Sequence, residues 1–349
     1  MTPRIRTAIL LIGLFRLSPA ALAQSQVAQN DCALPHRIEW PSGHPVWSLC
    51  WISPDSSAGL DGSGLEVRNV FYKGNLVLRR AGIPLINVDY EPGGCGSFRD
   101  WSHGLMLFEA DNQVGPPGSR YAEPAHPPRT MCDHPGTDAG EFEGVAAEKR
   151  PKELVLTTQL QAGPYRYVQT WTFRLDGSID ARIGFTSIHD PCQDKPHNHH
   201  AYWRLEFEIG GDGRDTVDEA RFQTGSAAPQ WQPFRTETSR RNDPGRGGLA
   251  RVQSASARRG YEIVSAPSNG VADSWSVADL WVLAFHPNEL DDGGARQGPL
   301  GGGVHLDDYL NGESVSGAGV VLWTHAMARH DGSRECWFVG PALRPVGKW

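Results

Sequence analysis

The chain has 349 residues, with 40 acidic against 33 basic side chains and a net charge of −7. That balance excludes a nucleic-acid binder, which needs a basic face to meet phosphate. Forty glycines and 26 prolines cut the sequence into short alternating runs, a pattern that excludes a helical bundle and predicts an all-β fold, a sandwich or barrel.

The first stretch runs Met1 to Arg6 with two arginines, then an apolar run Thr7 to Phe15, then Ala21-Leu-Ala23. A basic start, a short apolar centre and a small-x-small site predict a signal peptide over residues 1–23. The run is short for a membrane span, and no later stretch looks like one. The expected mature chain is therefore soluble, secreted or periplasmic, with no membrane partner. Its loss of Arg4, Arg6 and Arg16 makes it more acidic still.

Six cysteines, an even number in an exported chain, predict disulfides. Connectivity does not follow from spacing. The pairs preferred here are Cys32–Cys50 and Cys95–Cys132, which leaves Cys192 and Cys336 either bridged or with one of them touching a metal. Bridging is the structural default in an oxidising compartment.

Residues 24–59, rich in Trp, Pro and Cys, are expected to form an extension wrapping the edge of a domain that spans 60–349. Glu66 to Arg80 reads as a hairpin around Lys73-Gly-Asn75. Tyr165 to Ile183 is a clearer one, with Asp176-Gly177 predicting a two-residue type I′ turn. Its first strand alternates Tyr165, Tyr167, Gln169, Trp171 and Phe173 against Arg166, Val168, Thr170 and Thr172, so both tyrosines face inward. The apolar runs Asp279–Phe285 and Val320–Trp323 suit central strands.

The stretch with the most chemistry is Pro196-His-Asn-His-His200 and the strand that leaves it. His197, His199, Ala201, Trp203, Leu205 and Phe207 share one apolar, buried face at a period of two, and Asn198, His200, Tyr202, Arg204, Glu206 and Glu208 share the opposite, polar one. Two imidazoles at the start of a buried face can chelate one ion, and neutral imidazole suits copper or zinc. The bland alternative is a surface loop of histidines. His330 and His325, beyond the second apolar run, compete as a third ligand. Tyr165 read alone is a core tyrosine with a bonded hydroxyl.

Several segments together resemble the catalytic β-sandwich domain of the copper-containing, quinone-dependent primary amine oxidases. Ala162-Gly-Pro-Tyr165-Arg-Tyr167, Trp171-Thr-Phe173 and Asp176-Gly-Ser-Ile179 are similar to that family's Gly-Asn-Tyr-Asp/Glu-Tyr segment and the aromatic strand and Asp-Gly-x-Ile that follow it. His197-Asn-His199 with Arg204-Leu-Glu206 is similar to its His-Gln-His…Arg-Leu-Asp. Asp212-Gly213 to Glu219, Asp279 to Val282, and Leu322-Trp323 seven residues before His330 keep the family's order, and Met131-Cys-Asp-His134 resembles its Cys-x-His segment.

The resemblance implies a large antiparallel β-sandwich with copper(II) on His197, His199 and His330 rather than His325. It implies topaquinone formed from Tyr165, and a primary amine and O₂ as substrates, giving aldehyde, ammonia and H₂O₂. It also implies a homodimer. The pattern departs at Pro164, where the family has Asn, and at Arg166, where it has Asp or Glu. Its general-base segment has no counterpart, which leaves Asp100, Asp89 and Glu91 as the nearby carboxylates. The competing expectation is a copper-binding homologue without amine oxidation, active in metal handling or as a binding domain, with Tyr165 unmodified.

Overall fold

Alternating Val, Ile, Trp and Tyr runs bounded by Gly and Pro build strands, and the strands form two large sheets, one ten-stranded and one twelve-stranded. The computed structural model describes residues 36–349 apart from 91–94, 111–112, 116, 210, 212, 223–227, 255, 295–297, 300–302 and 334. All of these lie within one unit, Cys32–Trp349. Among the described residues helical structure is limited to short 3-10 turns, none of it long and apolar enough to cross a membrane. The expected signal peptide, residues 1–23, lies outside the described residues.

The predicted histidine strand is His197–Phe207. It sits centrally in the ten-stranded sheet, between the long strand Asn75–Tyr90 and the strand Val320–His330, antiparallel to both. Residues 37–52, expected as an edge-wrapping extension, supply two strands of this same sheet, Arg37–Trp40 and Trp47–Ile52, joined to Glu66–Tyr72. The tyrosine strand Tyr165–Arg174 lies inside the twelve-stranded sheet, between Glu153–Ala162 and Ile179–Ser187. Among the described residues one pair of neighbouring strands, Ser119–Ala122 beside Val145–Lys149, runs parallel.

The core lies between the inner faces of the two sheets. Ala201, Trp203, Leu205 and Phe207 of one meet Tyr167, Trp171, Phe173, Ile179, Ala181 and Ile183 of the other, all fully buried. Each large side chain removed from water there is worth about 1.5–3 kcal/mol, so a one-residue slip of the histidine strand, which would turn the whole row to the other face, is strongly disfavoured.

Three sequence expectations change. The Asp176-Gly177 turn is not a two-residue type I′ turn. Arg174 and Ser178 still pair (N···O 2.9 Å), and the Gly177 amide bonds the Arg174 carbonyl at 2.9 Å. The loop is therefore Leu175–Gly177, a three-residue connection in which Gly177 takes the left-handed position at φ 92° and Asp176 keeps a negative φ. The second change is on the even face of the histidine strand. His200, Tyr202, Arg204 and Glu206 are buried beneath a second cluster that includes Trp281, Leu306 and Trp323. The third concerns the cysteines. The disulfides are Cys95–Cys192 and Cys132–Cys336, not Cys95–Cys132. The segments before His197 and after His330 are thus each tied to a distant loop, and neither Cys192 nor Cys336 is a thiolate available to a metal. Cys50 is also disulfide-bonded, and its expected partner Cys32 lies outside the described residues. Disulfides of this kind belong to an oxidising compartment.

Candidate metal and tyrosine centre

Strand register assembles the site. His197 stands directly opposite His330 on one neighbouring strand and Tyr90 on the other. One row further in, His199 stands between Ala328 and Val88. Opposed residues of an antiparallel pair share a face. Tyr90, His197 and His330 therefore form one row, with His199 beside it, all pointing at the twelve-stranded sheet. That sheet answers with Tyr165 and Tyr167.

Tyr165 is the first residue of its strand. It follows a two-residue turn, Gly163-Pro164, that closes on the Ala162–Tyr165 pair. Gly163 takes φ 56° at the first turn position, and Pro164 fits the second, where φ is negative. Pro164, a departure from the resembled pattern, is thus accommodated by turn geometry. Arg166 is accommodated by alternation. It points to the opposite side of the strand from Tyr165, and Asp138 holds its guanidinium through two contacts of 2.7 Å, so its charge is matched away from the histidines.

The centre is closely bonded. The Tyr165 hydroxyl contacts the Tyr90 hydroxyl and lies 3.0 Å from His197 Nε2. His197 Nε2 and His199 Nε2 are 3.0 Å apart. The Tyr165 and His199 rings meet edge to face at 4.7 Å, and Phe185 stacks on His199 at 4.7 Å. The Tyr167 hydroxyl donates to Asp100 Oδ2 and stands 3.4 Å from His199 Nδ1.

These bonds fix the imidazole tautomers. His197 Nδ1 lies 2.6 Å from the Lys195 carbonyl, which can only accept, so Nδ1 carries the proton and Nε2 a lone pair. The Tyr167 oxygen has its own proton on Asp100, so it accepts from His199 Nδ1 and leaves His199 Nε2 bare. His330 Nε2 donates to the Ser333 carbonyl, and its buried Nδ1 has no hydrogen-bond partner. Each of the three histidines therefore gives one N–H to an oxygen and keeps one buried lone pair. The Tyr165 and Tyr90 hydroxyls are the donors at hand. Such outer partners are what orient ligating histidines in metal sites. The three lone pairs do not close on one point: His330 lies to one side, its ring 4.7 Å from His197 and 6.1 Å from His199. Among the described residues no group of three His, Cys, Asp or Glu side chains has its atoms set for a metal as it stands.

Burial dominates the electrostatics. It lowers His197 to about 4, with the neighbouring His330 adding to the effect against the pull of the Lys195 carbonyl. It puts His199 well below the usual range, and it lowers His330 against the pull of the Ser333 carbonyl. All three are neutral at pH 7, the form that binds a metal. Burial likewise raises Tyr165, reinforced by the Tyr90 hydroxyl, and raises Tyr167 and Tyr90. Asp100, fully enclosed, is pushed up to about 7 by burial against the Tyr167 hydrogen bond.

The structure thus brings His197, His199, His330, Tyr165 and Asp100 together. It does not bring in Asp89, which pairs with Asn198 on the outward face and accepts from Ser97 Oγ at 2.6 Å. Glu91 lies outside the described residues. His325 is also on the outward side, in a buried chain with His200 (3.0 Å) and Asp279 (2.9 Å). One participant and one contact were not foreseen. Tyr90 is the last inward residue of an alternating run, Ile86, Val88, Tyr90, and that parity could have found it. The Asp100–Tyr167 bond joins residues 67 apart and has no local signal.

No protein-family model matches the sequence, and no curated protein matches it. Solved structures do. A copper-containing benzylamine oxidase from Hansenula polymorpha superposes with a TM-score of 0.59 at 13% identity, over 98% of this chain and 63% of that one. Pichia pastoris lysyl oxidase gives 0.55 at 13% identity, over 86% and 51%. Aspergillus nidulans amine oxidase gives 0.51 at 14% identity, over 89% and 51%. The chain spans between half and two thirds of the length of these proteins. At such identities the likeness is one of fold: a divergent sandwich of the copper amine oxidase catalytic-domain type.

Proposed function

We propose that the protein is an exported copper-dependent oxidoreductase that converts a small primary amine, O₂ and water to an aldehyde, ammonia and H₂O₂. The observation that carries this reading is the set of three buried imidazole lone pairs, two of them 3.0 Å apart, beside the Tyr165 hydroxyl in a fold shared with copper-containing amine oxidases. His197 Nε2, His199 Nε2 and His330 Nδ1 would hold copper(II), the borderline-soft ion that imidazole nitrogens favour. Copper and a quinone formed from Tyr165 would together supply the acceptor that takes two electrons from the amine and passes them to O₂.

The chain's own residues do the rest. Tyr90 and His197 hold the Tyr165 oxygen in place, and Phe185 and Tyr167 wall the histidines from water. Asp100 is the group to take a proton from the substrate carbon, because burial has raised it to the range where a carboxylate serves as base near pH 7.

Two outcomes are expected. Protein refolded with Cu²⁺ and O₂ develops a visible quinone band that phenylhydrazine shifts, and Tyr165→Phe shows none. An unmodified Tyr165 peptide by mass spectrometry in the copper-loaded protein would remove the amine oxidase reading. The second concerns pH. Only the ionised form of Asp100 accepts a proton, so turnover rises as pH passes through about 7, and Asp100→Asn abolishes that rise. A raised folded-state value also makes the carboxyl stabilising below about 4 and progressively costly up to about 7. Asp100→Asn should therefore gain on the parent with rising pH, by up to about 4 kcal/mol at pH 8 in urea denaturation.

A second reading has its own support. The Tyr165 hydroxyl already has two partners and is held as a neutral phenol. That suits a copper-binding homologue in which Tyr165 stays unmodified.

A further inference from the structure

Between the edge strand Thr238–Arg240 of the ten-stranded sheet and the strands Asp215–Arg221 and Gly248–Ser254 of the other there is a cavity of about 410 Å³ whose wall includes four arginines, Arg221, Arg240, Arg241 and Arg246, against two carboxylates, Glu219 and Asp243. Arg221 ends the strand Asp215–Arg221 of the twelve-stranded sheet, and Arg240 ends the strand Thr238–Arg240 at the edge of the other. Arg246 sits in the turn whose amides return to the Asp243 carbonyl. In a chain of net charge −7 this is an unusual concentration of positive charge.

The guanidinium groups are poorly neutralised. Arg221 has a close carboxylate, Glu219 at 2.6 Å, and Arg240 stands 4.0 Å from that same group. Arg241 gives its N–H groups to neutral acceptors, the Val277 carbonyl at 2.8 Å and the Asp273 carbonyl at 2.7 Å. Arg246 makes no side-chain hydrogen bond or ion pair among the described residues and lies over the Phe222 ring at 5.1 Å. Asp243 turns one oxygen to the Gly245 amide at 2.7 Å. Converging like charges repel, and an anion that enters among them relieves the repulsion. Planar guanidinium forks match the paired oxygens of phosphate and sulfate. The cavity is larger than a bare tetrahedral ion, and Phe222, Leu249 and Leu280 give it an apolar side.

We propose that this cavity binds a phosphate or sulfate group carried on a small organic body. It shares no residue with the histidine–tyrosine centre, so the proposal stands whether or not copper binds there.

Isothermal titration of the full chain with inorganic phosphate, glucose 6-phosphate and glucose 6-sulfate tests it. Both esters should bind, or one of them, and more tightly than inorganic phosphate, with affinity falling as NaCl rises. Arg246→Ala should weaken binding about tenfold, and Arg240→Ala/Arg246→Ala further, since charge-assisted bonds to the anion are lost. Melting temperature should be unchanged in Arg246→Ala, whose side chain has no polar partner to lose. Tighter binding of inorganic phosphate than of either ester would overturn the organic body. No heat from any of the three up to about 10 mM, or binding undiminished in the double variant, would overturn the site.

Discussion

His197→Ala should strip copper from the protein, lowering Cu²⁺ affinity by more than about 100-fold, the upper range for loss of a mere outer partner of a metal ligand. The tautomer pattern sets this expectation. Lys195, Tyr167 and Ser333 each take up one imidazole N–H, so removing His197 deletes one of the two lone pairs that face each other and leaves the rest without a bidentate pair. Metal content per folded chain by mass spectrometry, with EPR of the Cu²⁺ form, reads the result. His199→Ala and His330→Ala should follow His197→Ala. His325→Ala should keep its copper, because His325 faces away from the site and is engaged by Asp279 at 2.9 Å. Copper retained in His197→Ala, or lost in His325→Ala alone, would put the metal elsewhere.

The largest effect on stability should come from Asp292→Ala, a loss of about 3–5 kcal/mol in urea denaturation. Arg99 is buried, and Asp292 grips it with two bonds, of 2.6 and 2.9 Å. Asn87 takes the remaining Arg99 Nε contact at 2.9 Å. Asp292 also accepts from the Gly294 and His305 amides, at 3.0 and 2.9 Å. Burial alone would raise this carboxyl; Arg99 and the two amides override it and hold it below the usual range. Truncating Asp292 leaves an uncompensated guanidinium in the interior, which costs far more than the pair contributes. Arg99→Met/Asp292→Leu, which removes both charges, should recover most of the loss. If the single and double variants are equally destabilised, the cost lies in the loop and not in the stranded charge. The pair bears on function because Asp100 is the next residue: an outward Arg99 fastened to Asp292 keeps Asp100 turned inward to Tyr167.

Much of this centre was legible in the sequence because it is organised by parity. A period of two placed His197 and His199 with Trp203 and Phe207, and Tyr165 with Trp171, without knowledge of which strands are neighbours. What parity cannot supply is partnership. Tyr90 meets Tyr165, and Asp100 meets Tyr167, across separations of 75 and 67 residues, and nothing local marks either contact. The even positions of the histidine strand read as a polar face, yet Arg204 and Glu206 are buried and bonded to each other at 3.0 Å, because a further layer covers that face. Cysteine pairing failed for the same reason: Cys95 and Cys192 come together because the strands Asn75–Tyr90 and His197–Phe207 are adjacent, a fact of sheet order. The Asp-Gly turn went wrong more locally, since Gly177 can serve a three-residue loop as readily as a two-residue one.

The short turn before Tyr165 has a consequence for how such a centre can survive large change around it. The direction of that tyrosine is set by the residues after it, Tyr167, Trp171 and Phe173, which the core locks in place, and owes little to the loop before it. Residues added at or removed from Gly163-Pro164 would be absorbed outside the ladder, while the hydroxyl kept its address beside His197. Peripheral segments and the residues flanking the tyrosine can therefore change in small steps, each neutral for the geometry at the centre. The same insulation would let new loops be grafted at that turn without rebuilding what lies beneath.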